Sequence, residues 1–99
     1  MKRHPKSNFP RALRSIRKAR GIPQEQFDQI SSRTYISALE RGVKVPTIGK
    51  VEQLSEVLRV HPLTLMAASY LDARVLPTDV ARLLTVVADE LAELAADTR

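Results

Sequence analysis

Cysteine is absent from the 99 residues, so neither a disulfide nor a thiolate-bound metal can hold this chain together, and nothing marks it for an oxidising compartment. The fold must rest on packing. Long apolar runs are also missing. The longest stretch, Leu83 to Ala88, is interrupted by Thr85 and falls far short of the ~20 residues that cross a bilayer. No signal-type hydrophobic segment stands at the amino terminus, so the expectation is a soluble cytoplasmic protein. Glycine occurs only three times, too sparsely for a phosphate-cradling loop. No Ser-His-acid or paired-carboxylate set has coherent spacing, and His4 and His61 give no metal-ligand pattern. These absences speak against an enzyme, a resident cofactor or metal, and a membrane anchor.

What is present is apolar content and an uneven distribution of charge. Hydrophobic residues make up 43% of the chain against 27% charged, which is globular rather than disordered composition, and 99 residues suffice for one core. The net charge of +5 conceals an asymmetry: residues 1–46 hold eleven Lys or Arg and three acids, whereas residues 47–99 hold five and eight. A basic half beside an acidic half suggests one surface that meets a polyanion and another that avoids it.

Alternating segments that would signal strands are missing, as are internal repeats, and the expected class is all-α. Residues 1–8 form a basic arm carrying Lys2, Arg3 and Lys6, either a solvated tail or a segment that follows a nucleic-acid backbone. Apolar residues at 9, 12, 13, 16 and 19 predict a first helix over 9–20, with Gly21 at its C-terminal cap. Pro23 opens a short second helix of about two turns with Phe27 and Ile30 inward. Ser31 or Ser32 caps a third helix that ends at Arg41 before Gly42. Thr47 caps a fourth, whose buried stripe is Ile48, Val51, Leu54, Val57 and Leu58. A fifth starts near Pro62, with Leu63, Leu65, Met66 and Leu71 as its main apolar content, and closes a domain over 9–72. After a break at 72–76, Pro77 and Thr78 open a last helix over 77–97.

On a wheel at 100° per residue, Ile36, Leu39 and the edge position Glu40 of the third helix face inward. Arg33, Thr34, Ser37, Ala38 and Arg41 fall on the other side and expose a small, hydrogen-bonding, cationic surface. Such a surface can enter a DNA major groove, about 12 Å wide, because its side chains are short or flexible. An arginine near the helix start can make paired hydrogen bonds to guanine O6 and N7.

The stretches ALRSIRKARGIPQEQF, SSRTYISALERG and VPTIGKVEQLSEVLRVHPLTL together resemble the lambda-repressor-like, Cro-type helix-turn-helix regulators, also called the XRE family. The resemblance covers about residues 9–71. It implies a five-helix DNA-binding domain whose third helix, about 32–41, lies in the major groove of a two-fold symmetric operator. It implies base-edge contacts for Arg33, Thr34, Ser37 and Ala38, with Ala38 either touching a thymine methyl or simply giving the helix clearance. It implies phosphate contacts for Gln24, Ser32, Arg41 and Lys44, and Tyr35 either joins them or packs. It also implies a structural ion pair between Arg17 and Glu40, which physics requires if Glu40 sits on the inner edge. The chain departs from the pattern in carrying Asp28 where relatives have alanine, in having no glycine between 22 and 42, and in an interval about two residues shorter. The second helix or its turn must therefore be altered.

The last helix lies beyond that resemblance. Val80, Leu83, Leu84, Val87, Leu91 and Leu94 share one side, with acidic residues mostly elsewhere, and the domain before it is already complete. This helix is assigned to homodimerisation, against packing on its own domain or binding a different protein. The functional expectation is a dimeric, sequence-specific DNA-binding repressor, nucleoid-associated when bound. The alternatives are an antitoxin-type regulator whose tail helix binds a toxin, and a protein-interaction adaptor with a vestigial helix-turn-helix.

Overall fold

Each helix of the body begins where a side chain takes over a backbone amide that the helix itself cannot satisfy. In the computed structural model, which describes residues 7–71 and 76–97, α1 (Phe9–Ala19) starts on Asn8, whose Oδ1 accepts from the Arg11 amide at 3.3 Å. α2 (Arg33–Glu40) starts on Ser32, whose Oγ accepts from the Tyr35 amide at 3.1 Å. α3 (Ile48–Leu58) starts on Thr47, whose Oγ1 accepts from the Lys50 amide at 3.1 Å. α4 (Pro62–Ser69) starts on His61, whose Nδ1 accepts from the Leu63 amide at 3.0 Å. A single 3-10 turn (Gln24–Phe27) lies between α1 and α2, and α5 (Pro77–Asp97) follows α4. The described residues are thus all-α. The arm residues Lys2, Arg3 and Lys6, and most of the expected break at 72–76, lie outside the described residues.

The helix ends divide into two kinds. α1 and α2 are followed by Gly21 and Gly42, with φ of +65° and +77°, the left-handed geometry that glycine adopts without strain. α3 instead ends on Arg59, at φ 61°, where a side chain occupies the same left-handed region at a cost.

Leu13, Phe27, Ile36, Leu39, Leu54, Leu58 and Leu65 are fully buried and form the centre of one core. Each such side chain contributes roughly 1.5–3 kcal/mol by leaving water. α1 packs on α2 and α4, while α3 packs on α4 and the 3-10 turn, so α2 is held at the edge of the bundle. Arg11 fastens α1 to the end of α4 by donating to the carbonyls of Ala68, at 3.4 Å, and Leu71.

Two expectations about the body are corrected. The second helix is one 3-10 turn rather than two α-helical turns. The shortened interval leaves room for i to i−3 bonds such as Asp28 N–H to Glu25 O at 3.1 Å, after which the Ile30 and Ser31 amides both bond to the Phe27 carbonyl. Ile48, placed in the buried stripe of its helix, is 81% exposed. It is the first residue of α3, one turn ahead of Val51, and projects past the last core layer.

α5 has no buried residue and makes few contacts with the other helices. The radius of gyration, 15.0 Å, accordingly exceeds the roughly 13 Å of a compact chain of this length.

Relieving the left-handed strain tests the account of the α3 terminus. Arg59→Gly is expected to raise stability by about 0.5–1 kcal/mol, read as a higher urea midpoint at unchanged slope.

Candidate nucleic-acid interface

A buried carboxylate fixes the orientation of α2. Glu40, the last residue of that helix, is 5% exposed, and its two oxygens are held by a fork from α1. Arg17 Nε donates to Oε2 at 2.5 Å and Nη2 to Oε1 at 3.0 Å. Gln24 of the 3-10 turn adds a third donor, Nε2 to Oε1 at 3.1 Å. The remaining Arg17 nitrogen, Nη1, donates to the Ile22 carbonyl at 3.2 Å, and Arg14 Nη1 reaches the Glu40 backbone carbonyl at 3.3 Å. Three elements therefore converge on one residue and set both the depth and the rotation of α2.

The hydrogen bonds to Glu40 raise the Arg17 pKa above its already high ordinary value, outweighing the opposing effect of burial. A raised arginine pKa gives stability that is fully present below the ordinary arginine value and is lost only as pH rises through the raised one, so Arg17 is charged at neutral pH.

With α2 so fixed, Arg33, Thr34, Ser37 and Arg41 fall within an arc of roughly 100° on its outer side. Arg33, Thr34 and Arg41 are exposed and Ser37 is half-buried. Arg41 Nε donates to Ser37 Oγ at 3.3 Å, which ties two members of this arc together. Ser32 is exposed at the amino end, where its hydroxyl oxygen serves the cap, and Lys44 is exposed in the loop beyond the carboxyl end. The Arg33 guanidinium lies near two acids of the preceding segment, Glu25 and Asp28, at 3.6 and 4.0 Å.

Ala38 does not belong to this surface. The wheel places it outward, yet it is 5% exposed. Beyond Gly42 the chain turns back onto α2, and the amides of Val43 and Lys44 both donate to the Ala38 carbonyl, at 2.9 and 3.4 Å. A wheel assumes one buried side, whereas α2 is enclosed on more than one. Tyr35 is half-buried against the core, with the Lys50 ammonium 5.6 Å from its ring centre. Gln24 is half-buried and turned toward Glu40, with one of its two N–H groups used there.

Reading the residues alone does not find Arg14, Glu25 or Lys50. Lys50 Nζ donates to the Ile30 carbonyl at 2.9 Å and braces the turn that leads into α2. A signal for it does exist, since a cation in the first turn of a helix opposes the helix dipole and calls for a tertiary partner.

On α5, Val80 and Leu83 are half-buried, whereas Leu84, Val87, Leu91 and Leu94 are between 42% and 61% exposed. An apolar cleft of about 640 Å³ opens between α4 and α5, with Leu63, Met66, Tyr70 and Val87 among its walls. Among the described residues no acidic or histidine cluster could hold a metal ion, and no helix is long and apolar enough to cross a membrane.

Removing the fork tests whether Glu40 depends on it. Arg17→Ala leaves a buried carboxylate without its charge partner and is expected to cost about 3–5 kcal/mol in urea unfolding at neutral pH. Arg17→Lys, which keeps the charge but not the planar fork, should recover only part of that loss.

The helix-turn-helix family profile matches residues 13–65, from α1 into α4, more than half of the chain. No match was found among curated proteins or among solved structures. The matched region contains the Arg17–Glu40 pair, the shortened second element and α2. The chain therefore belongs to the helix-turn-helix family, in its lambda-repressor and Cro-like branch of DNA-binding transcriptional regulators.

Proposed function

We propose that this regulator is a homodimeric repressor that reads a palindromic operator by laying α2 in the major groove. The observation that carries the reading is the outer arc of α2, where Arg33 and Thr34 are exposed and Ser37 is half-exposed on a helix whose inward side is locked to the core. Arginine, threonine and serine supply donors and acceptors for base edges, and none is bulky enough at the backbone to hold the helix away. Ala38 takes no part in base contact and serves as close packing.

Phosphate contacts flank this arc. Ser32 retains its hydroxyl proton, Gln24 its second amide N–H, and Arg41 and Lys44 their outward cationic groups. These hold register and supply salt-dependent affinity without reading sequence. Tyr35 supports the arc from beneath rather than joining it. The Lys2, Arg3 and Lys6 arm adds charge on the same basic half of the chain.

Dimerisation falls to α5. Its exposed stripe of Leu84, Val87, Leu91 and Leu94 runs along a helix that contributes nothing to the core, and a second copy supplies the matching stripe. A two-fold pair then presents two α2 helices to successive half-sites.

Arg33→Ala should cost roughly 1–3 kcal/mol of operator binding and relax preference at one position of sites selected from random duplexes. Lys44→Ala should instead weaken all duplexes alike and lower the slope of log affinity against log salt by about one. Deletion of residues 77–99 should yield a monomer in sedimentation, with cooperative unfolding of the body retained and operator affinity sharply reduced. A shortened chain that still sediments as a dimer refutes the assignment of α5.

A further inference from the structure

Arg33 is the first residue of α2, and two carboxylates from the segment ahead of it stand beside its guanidinium. Glu25 Oε1 is 3.6 Å from Nη2, and Asp28 Oδ1 is 4.0 Å from Nε. All three side chains are more than half exposed, so these pairs contribute little to folding. Their effect is on direction. A guanidinium offers a side edge, Nε with Nη2, and an end edge, Nη1 with Nη2. Asp28 lies nearest Nε, on the side edge, and Glu25 nearest Nη2, which the two edges share. Nη1 completes the end edge, which matches the O6 and N7 acceptors of guanine, and neither acid is nearest to it.

The acids also restrict what else Arg33 can do. On DNA without a guanine at the right place, an unrestrained arginine turns to the nearest phosphate and gains affinity without information. Here that movement would leave two carboxylates bare beside a polyanion, at separations well inside the roughly 8–10 Å over which salt screens charge. Asp28 directly follows the short 3-10 turn, which brings it within reach of the α2 start.

We propose that Glu25 and Asp28 are specificity-determining positioning residues, which hold the Arg33 end edge toward a guanine and withhold the same arginine from phosphate. The proposal rests on the reading of α2 as the major-groove helix. Its signature is an exchange: neutralising the acids strengthens binding to arbitrary DNA while weakening discrimination.

The test compares the full chain with E25Q/D28N, with R33A, and with R33A in the E25Q/D28N background. Each is titrated onto the duplex best enriched from a random pool and onto a scrambled duplex, with thermal midpoints confirming that every variant is folded. In E25Q/D28N, affinity for the scrambled duplex is expected to rise several-fold, and the selected-to-scrambled ratio to fall by roughly tenfold. On the R33A background the same neutralisation should leave the ratio unchanged, and D28E should keep the wild-type ratio. A ratio that survives neutralisation, or one that falls equally without Arg33, overturns the proposal while leaving the DNA-reading assignment of α2 intact. A wild-type chain that prefers no duplex at all overturns both.

Discussion

A carboxylate at the end of a surface helix is ordinarily solvated and contributes little to a fold. Glu40 is different because the core closes over it, and its charge can remain there only while Arg17 and Gln24 supply donors to its oxygens. That requirement couples α1, the 3-10 turn and α2 at one point. Hydrophobic contacts alone allow a short helix to roll against its neighbours, since one leucine can replace another at modest cost. A two-pronged hydrogen bond to a single carboxylate does not tolerate such rolling. The direction in which Thr34 and Ser37 point is thus decided by Glu40, at the edge of the inward side, and by the residues that hold it.

The same chemistry, arginine beside carboxylate, occurs twice with different consequences. Around Glu40 it is nearly dry, closely spaced and forked, and it governs stability. Around Arg33 it is wet and looser, and it contributes little to stability. Burial, rather than residue type, separates the two. An exposed pair of this kind adds little to stability, yet on a surface that meets a charged polymer the orientation of one arginine matters.

Much of the architecture can be read from the order of residues because it depends on local chemistry. Ser32, Thr47, Pro62, Gly21 and Gly42 act within a turn of their own position, and they mark starts and stops where the helices indeed start and stop. Asp28 and the missing glycine signalled an altered second element, although not that a single 3-10 turn would replace it. What the order of residues hides is tertiary. Ala38 is covered because the chain returns over its helix after Gly42, and Ile48 is exposed because the core ends one turn later. Arg59 takes a left-handed conformation with no glycine to announce it, and the partner of Lys50 lies twenty residues earlier in the chain.

Because α5 buries none of its own residues, the leucines at its far end, Leu91 and Leu94, carry little of the body's packing. A mutation there leaves the DNA-facing body standing. If α5 pairs two copies, as proposed, duplicated chains can drift toward new pairing preferences while inheriting a working reading head, and new combinations of half-sites become reachable through changes in that helix alone.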